Sequence, residues 1–534
     1  MMHCRQTMFL GRQVRLRPAE TEQYAPSFVR LFQKIRAPAG ADRESRGNPM
    51  VFSSLFFLYV FLPLNLIVYH LMPSMRAKNI VMTVFSLIFY AWGEPVYVFL
   101  LLAMAFADWA LSNYIGRQAP RSAAAKRGVV LTCIVNLGLL GIFKYGTFFM
   151  ENTHNLLGFP DQVLQIALPI GISFYTFQLL SYVVDVYRGE VEAQRSFPTL
   201  LLYVSLFHQC IAGPIVRYKD INAELLHRRA TRADISYGVT RFTVGLAKKA
   251  VLANACGALA DQLLVADKTP AADALQTIAG QPVLALWVGA LAFMLQIYLD
   301  FSAYSDMAIG MGRMIGFHYR ENFNYPYMSL SITDFWRRWH ISLSSFFRDY
   351  VYIPLGGNRC SKGRVLMNLF VVWFLTGFWH GASWNFMLWG LYYFLFLVLE
   401  RAFLRRWLER LPAAVGHLYA LVVVYFGWVL FKFTDFSVLG AVLAGMFGVT
   451  EAGAASFEVL SLIRSNLPIL LISAVACTPI VPYLGRRLYD AGARSGGAWA
   501  VYRAVVVAAP VVLLLLATMT LVGDSYNPFL YWKF

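Results

Sequence analysis

The sequence predicts an all-α, polytopic membrane protein, and three observations predict it. Apolar residues make up 58% of the 534 and charged residues only 14%, where a soluble domain carries about 25%. Mean hydropathy is +0.54. Apolar runs of membrane-spanning length recur along nearly the whole chain. This composition excludes a disordered chain, a coiled coil and a secreted disulfide scaffold. Six cysteines (Cys4, Cys133, Cys210, Cys256, Cys360, Cys477) are scattered with no C-x-x-C pair. Neither a metal site nor a disulfide framework is expected from them. The formal charge of +17 would suggest nucleic acid in a soluble protein. Here basic cytoplasmic loops account for it, so membrane lipid and not nucleic acid is the expected partner.

Taken in order, residues 1–49 are a basic extension with no span-length apolar run. They lack the apolar core of a cleavable signal. Residues 50–534 form a single membrane domain. It opens abruptly at Met50; residues 1–49 read either as a basic cytoplasmic arm or as a stretch upstream of a natural start at Met50, the second being favoured. Phe52 to Met75 is long enough to cross a bilayer with some tilt. Further apolar runs lie near 80–93, 96–115, 128–149, 164–187, 236–262, 283–312, 365–399, 415–431, 466–484 and 503–523. The stretch 198–216 is apolar but broken by Gly213-Pro214. Ten to twelve crossings are expected. Arginine and lysine crowd the segments after Met75 and Ile115, and the 217–249 and 313–364 segments, whereas 151–163 and 266–282 are neutral or acidic. Basic loops stay in the cytoplasm. The run Leu369 to Leu399 is long for one crossing and has basic residues on both flanks. A broken or re-entrant pair of segments would keep both flanks inside, provided protein shields the break. One long tilted helix is the plainer alternative.

Tyrosines aside, His380 is the one ionisable side chain in 369–399, within G-F-W-H-G-A-S-W-N-F. An ionisable group at membrane depth is costly and marks a functional candidate. Gly377 and Gly381 allow close backbone approach or unwinding. An imidazole can take a proton from a hydroxyl near neutral pH. The plainer reading is a neutral histidine bonded between helices. Trp379 adjoins it, and Ser383 and Asn385 are polar neighbours suited to orienting the ring or binding an oxyanion.

The second candidate is S-I-T-D-F-W-R-R-W-H-I-S-L-S-S-F-F-R-D-Y-V-Y-I-P-L-G-G-N-R, residues 331–359. Thr333 and Asp334 predict a helix start and Pro354-Leu-Gly-Gly its stop. Helical spacing gives an apolar stripe of Trp336, Trp339, Leu343, Phe346 and Tyr350. Arg337, His340, Ser344 and Arg348 form a polar stripe. Such a helix lies in the interface or forms a re-entrant loop. Arg337, Arg338 and Arg348 suit lipid phosphates or the phosphates of a thioester donor, though a plain interfacial anchor fits equally. His340 alone reads as a satisfied surface histidine.

Asp300 and Asp306 sit in the apolar segment Q-I-Y-L-D-F-S-A-Y-S-D-M. Buried carboxylates need partners, for which Arg313, Arg337 or a histidine is expected. A structural ion pair is favoured over catalysis, with a proton pathway as a third reading. L-P-I-G-I-S-F-Y-T-F-Q, residues 168–178, reads as helix packing or the lining of an acyl cavity. In I-A-G-P-I-V-R-Y, residues 211–218, Arg217 suits a donor phosphate, although positive-inside charge explains it as well. No Walker A, G-x-S-x-G, H-E-x-x-H or dinucleotide fingerprint occurs.

The motifs V-F-S-S-L-F-F-L, F-Y-A-W-G-E-P, P-I-G-I-S-F-Y-T-F-Q, D-V-Y-R-G, D-F-S-A-Y-S-D-M-A-I-G, E-N-F-N-Y-P-Y, F-W-R-R-W-H-I-S-L-S, P-L-G-G-N-R and F-W-H-G-A-S-W together resemble the membrane-bound O-acyltransferase family. Within it they are similar to the branch that acetylates bacterial polysaccharides such as alginate. The closing Y-N-P-F-L-Y-W-K-F fits that branch too. At 207–210 the chain reads F-H-Q-C where the branch pattern has F-P-Q-L, so no role is assigned to His208. The resemblance implies about eleven transmembrane helices, with re-entrant or interfacial helices, around a central tunnel in the bacterial inner membrane. It implies that His380, in the W-H-G motif, is catalytic and that His340, in W-R-R-W-H, is its partner. No bound cofactor is implied. The implied donor is acetyl-CoA or an acyl carrier thioester. The implied partners are a periplasmic acetyltransferase and an exported polysaccharide, alginate first and cellulose next. A D-alanyl transferase acting on teichoic acid shares the fold and both histidines. A transporter or channel is the rival of another class, but it would show inverted repeats that the sequence lacks.

Overall fold

A computed structural model describes residues 50–157, 166–210, 213–266 and 269–523. The 1–49 extension, the closing Y-N-P-F-L-Y-W-K-F, and Ile211 and Ala212 of the 211–218 segment lie outside the described residues. Among the described residues every regular element is helical. Seven helices are long and apolar enough to cross a membrane: Tyr97–Gly116, Ala123–Thr153, Val283–Ile315, Trp384–Leu408, Ala413–Lys432, Phe457–Ala476 and Gly496–Gly523. The sequence expectation of about eleven is larger, for a physical reason. The remaining apolar runs carry polar groups or are interrupted. The Met75–Gly93 helix opens with Arg76 and Lys78. Ile172–Arg188 buries Gln178 and Asp185. Arg232–Ala247 continues into Asn254–Leu263 through a π-helical turn, Lys248–Ala253, that carries two lysines.

The Val283–Ile315 helix is the spine of the molecule. Its 33 residues reach about 50 Å at 1.5 Å per residue. Pro282 precedes it and Gly316, with φ +92, stops it. Nearly all of its second half is buried. The Arg232–Ala247 helix lies flat against it, and small residues make that contact possible. A Cβ on Gly238 would stand 2.6 Å from the Gly310 carbonyl oxygen, and one on Gly310 would stand 2.6 Å from that of Gly238.

The 369–399 run is broken, as its two basic flanks suggested. The Lys362–His380 helix ends at an extended Gly381, and Ser383 begins the Trp384–Leu399 helix. The two run antiparallel. Trp373 meets Tyr393 with ring centroids 5.9 Å apart, and Phe370 meets Phe394 at 5.7 Å. Gly377 and Gly390 touch backbone to backbone at the crossing. A Cβ on either would collide with a carbonyl oxygen, of Phe386 or Trp373 respectively. His380 therefore stands at the tip of a helical hairpin.

The 331–359 segment departs from the single helix expected. It forms two short helices, Ile332–Arg338 and Ile341–Phe347, followed by a π-helical turn, Arg348–Tyr352. The cap is Ser331, whose hydroxyl accepts from the Asp334 amide at 3.1 Å. The break falls at Trp339 and His340, and His340 adopts φ +43, ψ +56. A non-glycine residue there costs about 1–3 kcal/mol and persists only when its surroundings enforce it. Asn322 and Asn324 supply that enforcement: the Ile341 amide donates to the Asn322 carbonyl and the Asn324 amide to that of Arg338, both at 2.9 Å. Helical propensity would continue through His340, but the docked 322–324 segment takes over the hydrogen bonds that continuation needs.

Gly390→Val should force the hairpin apart, because the obstructing atoms are backbone and cannot rotate away. The expected loss is about 1–3 kcal/mol or more, read as a lower melting temperature of the detergent-solubilised protein. Gly363→Ala, where a Cβ meets open space, should melt like the parent.

Candidate active site

Two helix tips meet around one indole. His380 is the last residue of its helix and is buried. Its ring is met edge-on by Trp389 at 4.8 Å and Phe431 at 5.4 Å, and by Trp379 at 5.0 Å. His340 is also buried, not the surface histidine that its isolated motif suggested. The backbone break turns it inward, where Phe301 meets it edge-on at 4.7 Å. Trp379 lies 6.1 Å from the His340 ring and stacks on Phe177 at 5.7 Å. The structure thus brings His340, Trp379 and His380 together from segments forty residues apart.

A polar chain orients His340. The Asn322 amide nitrogen donates to Ser305 on the spine at 3.1 Å. Its oxygen therefore faces His340 Nδ1 at 3.1 Å and accepts from the Ser342 hydroxyl at 2.8 Å. With an acceptor opposite Nδ1, that nitrogen carries the proton in the neutral ring. Nε2 is then the ring's acceptor. Asn322 and Ser342 were not singled out from the sequence. The buried Asn in E-N-F-N-Y-P-Y gave no signal of its own, because its partners come from two other segments.

The other polar candidates take different roles. Asn385 is buried and donates to the Phe431 and Leu430 carbonyls at 3.2 and 3.4 Å. It caps the end of the Ala413–Lys432 helix and so fixes Phe431 against His380. Ser383 is half-buried at the break, with no capping bond from its side chain. Beyond Phe431, a cavity of about 220 Å³ is lined by Thr269, Lys432, Thr434 and Asp435 among others. It lies at the end of the molecule that carries the neutral 266–282 segment.

Asp300 and Asp306 are ion-paired, but not with the partners expected. Asp300 meets Lys249 at 2.7 Å, with both side chains buried. Asp306 meets Lys248 and Arg241, each at 2.7 Å, and Arg241 also holds Glu321 at 2.6 Å. Arg313 instead pairs with Asp234 at 3.1 Å. The sequence reading counted Lys248 and Lys249 as loop charge. The π-helical turn carries them against the spine, level with the two carboxylates. These aspartates lock two helices together.

The four arginines also separate. Arg217 is buried and bonded to Asp349 at 2.7 Å, with its guanidinium over the Tyr350 ring. Arg348 reaches the same carboxylate at 2.7 Å. Burial alone would raise the Asp349 carboxyl, but bonds from Arg348 and Arg217 outweigh it and hold it below the usual carboxylate range. Arg338 pairs with Asp334 at 2.9 Å. Arg337 is exposed and makes no ion pair among the described residues. No cluster of three metal-ligating side chains occurs among the described residues.

Another buried cation also escaped the sequence reading. Lys144 lies in the 128–149 run and donates to the backbone carbonyl of Trp379. A lone lysine in an apolar span is the same signal that singled out His380.

Removing one partner of the buried Lys249–Asp300 pair leaves an uncompensated charge, at a cost of about 3–5 kcal/mol. Lys249→Met should therefore lower the melting temperature sharply. Lys249→Met combined with Asp300→Leu should recover most of the loss, because neither charge of the pair remains.

Comparison with known proteins agrees with this architecture. Residues 131–443 match the MBOAT, membrane-bound O-acyltransferase family, a span that contains both histidines. The chain is 37% identical over 518 residues to the probable alginate O-acetylase AlgI of Azotobacter vinelandii, covering 91% of this chain and 100% of that protein. It is 34% identical over 439 residues to the peptidoglycan O-acetyltransferase of Helicobacter pylori, covering 75% and 80%. It is 26% identical over 343 residues to the teichoic acid D-alanyltransferase of Bacillus subtilis, covering 61% and 81%. The chain belongs to the membrane-bound O-acyltransferase family.

Proposed function

We propose that the chain is a membrane O-acetyltransferase for an exported polysaccharide, with His380 as its general base. The observation that carries the site is the meeting of two buried imidazoles on Trp379, at the tips of two segments whose flanks are both basic. The acetylase names of the more similar relatives support acetyl as the acyl group. The teichoic acid relatives are more distant, which weighs against D-alanyl transfer.

In this reading a cytoplasmic thioester, acetyl-CoA or an acyl carrier, approaches from the basic side, where exposed Arg337 is available to a phosphate. A hydroxyl acceptor approaches from the opposite side, where the cavity beside Lys432 opens. His380 takes the hydroxyl proton as the oxygen attacks the thioester carbonyl. The carbon–oxygen bond forms and the carbon–sulfur bond breaks. The imidazolium returns its proton to the leaving thiolate. His340, held in one tautomer by Asn322, stands on the donor side of the indole. Aromatic walls exclude water, which would otherwise hydrolyse the thioester. A bacterial inner-membrane location and delivery to a periplasmic acetyltransferase follow from the same reading. Alginate is the first polymer to examine and cellulose the next, and the name of one relative adds peptidoglycan.

His380→Ala should fold normally and lose about 10²–10⁴-fold of its transfer rate. The check is O-acetyl ester on the exported polymer, per folded molecule. Normal ester content in that variant defeats the assignment, and D-alanyl ester in place of acetyl redirects the acyl group.

A further inference from the structure

We propose that Lys144 and Tyr145 form a clamp that positions His380 for proton transfer. This inference rests on the reading of His380 as the general base. It starts from the helix that carries His380, whose last four carbonyls have no partner within the helix. In water they would be solvated. At a buried hairpin tip another element must satisfy them.

Lys144 and Tyr145 do so in register. The Tyr145 hydroxyl donates to the Phe378 carbonyl at 2.8 Å. The Lys144 ammonium donates to the next carbonyl, of Trp379. Consecutive donors thus hold consecutive acceptors directly before His380. The contact extends beyond hydrogen bonds. The Tyr145 ring stacks on Phe378 with centroids 3.8 Å apart and planes 8° apart. The Lys144 ammonium lies 5.4 Å from the centroid of the Trp379 ring and 3.4 Å from the Ser173 hydroxyl.

The local backbone accounts for the register. Residues Gly141–Tyr145 form a π-helical turn between the Ala123–Leu140 and Gly146–Leu157 helices. Such a turn widens the helix and re-aims side chains, and it recurs at functional sites. Electrostatics accounts for the choice of lysine. Lys144 is buried, and no carboxylate pairs with it among the described residues. A buried cation is costly unless something negative faces it. Here the negative end of a helix macrodipole does so. The two donors and the ring stack together draw the helix end, and with it Trp379 and His380, to one fixed place. Neither residue touches substrate in this scheme. Both act through the position of the imidazole, where displacement by about 1 Å can cost about 10²-fold in rate.

The test compares Lys144→Met, Lys144→Arg, Tyr145→Phe and His380→Ala in the full-length chain, expressed in cells that export the polymer. Acyl ester on the polymer is measured per folded molecule, with folding read by fluorescence-detected size exclusion. Lys144→Met should lose about 10²-fold. Tyr145→Phe, which keeps the ring stack and deletes one donor, should lose about tenfold. Lys144→Arg, which keeps the charge and a donor, should stay within about threefold of the parent; a role confined to packing would not be rescued this way. Parental ester from Lys144→Met or Tyr145→Phe, beside an inactive His380→Ala, overturns the clamp and leaves the base assignment intact. An active His380→Ala overturns both. If Lys144→Met fails to fold, Tyr145→Phe decides alone: reduced ester supports the clamp and parental ester overturns it.

Discussion

The constraint on which this structure depends is that helix ends inside a membrane protein must find hydrogen-bond partners without water. An ordinary transmembrane helix avoids the problem by ending in the headgroups. Around the two histidines this molecule brings helix ends into its interior at three places, and each is completed by another element. Asn322 and Asn324 complete the break at His340. Asn385 completes the Ala413–Lys432 helix. Lys144 and Tyr145 complete the Lys362–His380 helix. The reward for this arrangement is that side chains at helix tips, unlike those on helix sides, can face one another end to end. The two histidines meet on Trp379 for that reason.

Charge is handled by the same economy of position. The spine carries Asp300 and Asp306 at depths where an isolated carboxylate could not stay ionised. The neighbouring helix answers with Lys248, Lys249 and Arg241. Those pairs fix the helix that supports Ser305, and Ser305 holds Asn322, which orients His340. A continuous chain of contacts therefore runs from an ion-pair lock to a catalytic candidate. Rigid packing around both imidazoles suits an acyl transfer in which water must be kept out.

Much of this was legible in the chain itself. Composition and apolar run lengths gave the fold class. Two basic flanks around an overlong run gave the hairpin at Gly381. A lone ionisable residue in that run singled out His380 as a candidate, and the family resemblance favoured it. The same rule pointed equally to Lys144, which the sequence reading did not single out. The 331–359 segment misled for a definite reason. Its helical periodicity is real on both sides of His340, and local pattern does not register a break imposed by backbone bonds to the 322–324 segment.

The sequence by itself determined what must leave water: which segments are apolar, which loops are basic, and which few ionisable groups are stranded between them. These properties belong to residues and their near neighbours, so local pattern carries them. Only the tertiary structure decided who pairs with whom. Asp300 with Lys249, Asn322 with His340, and Lys144 with the Trp379 carbonyl join residues 18 to 235 positions apart. A buried polar group is satisfied by whatever the packing brings within about 3 Å, and that distance is set by how helices cross.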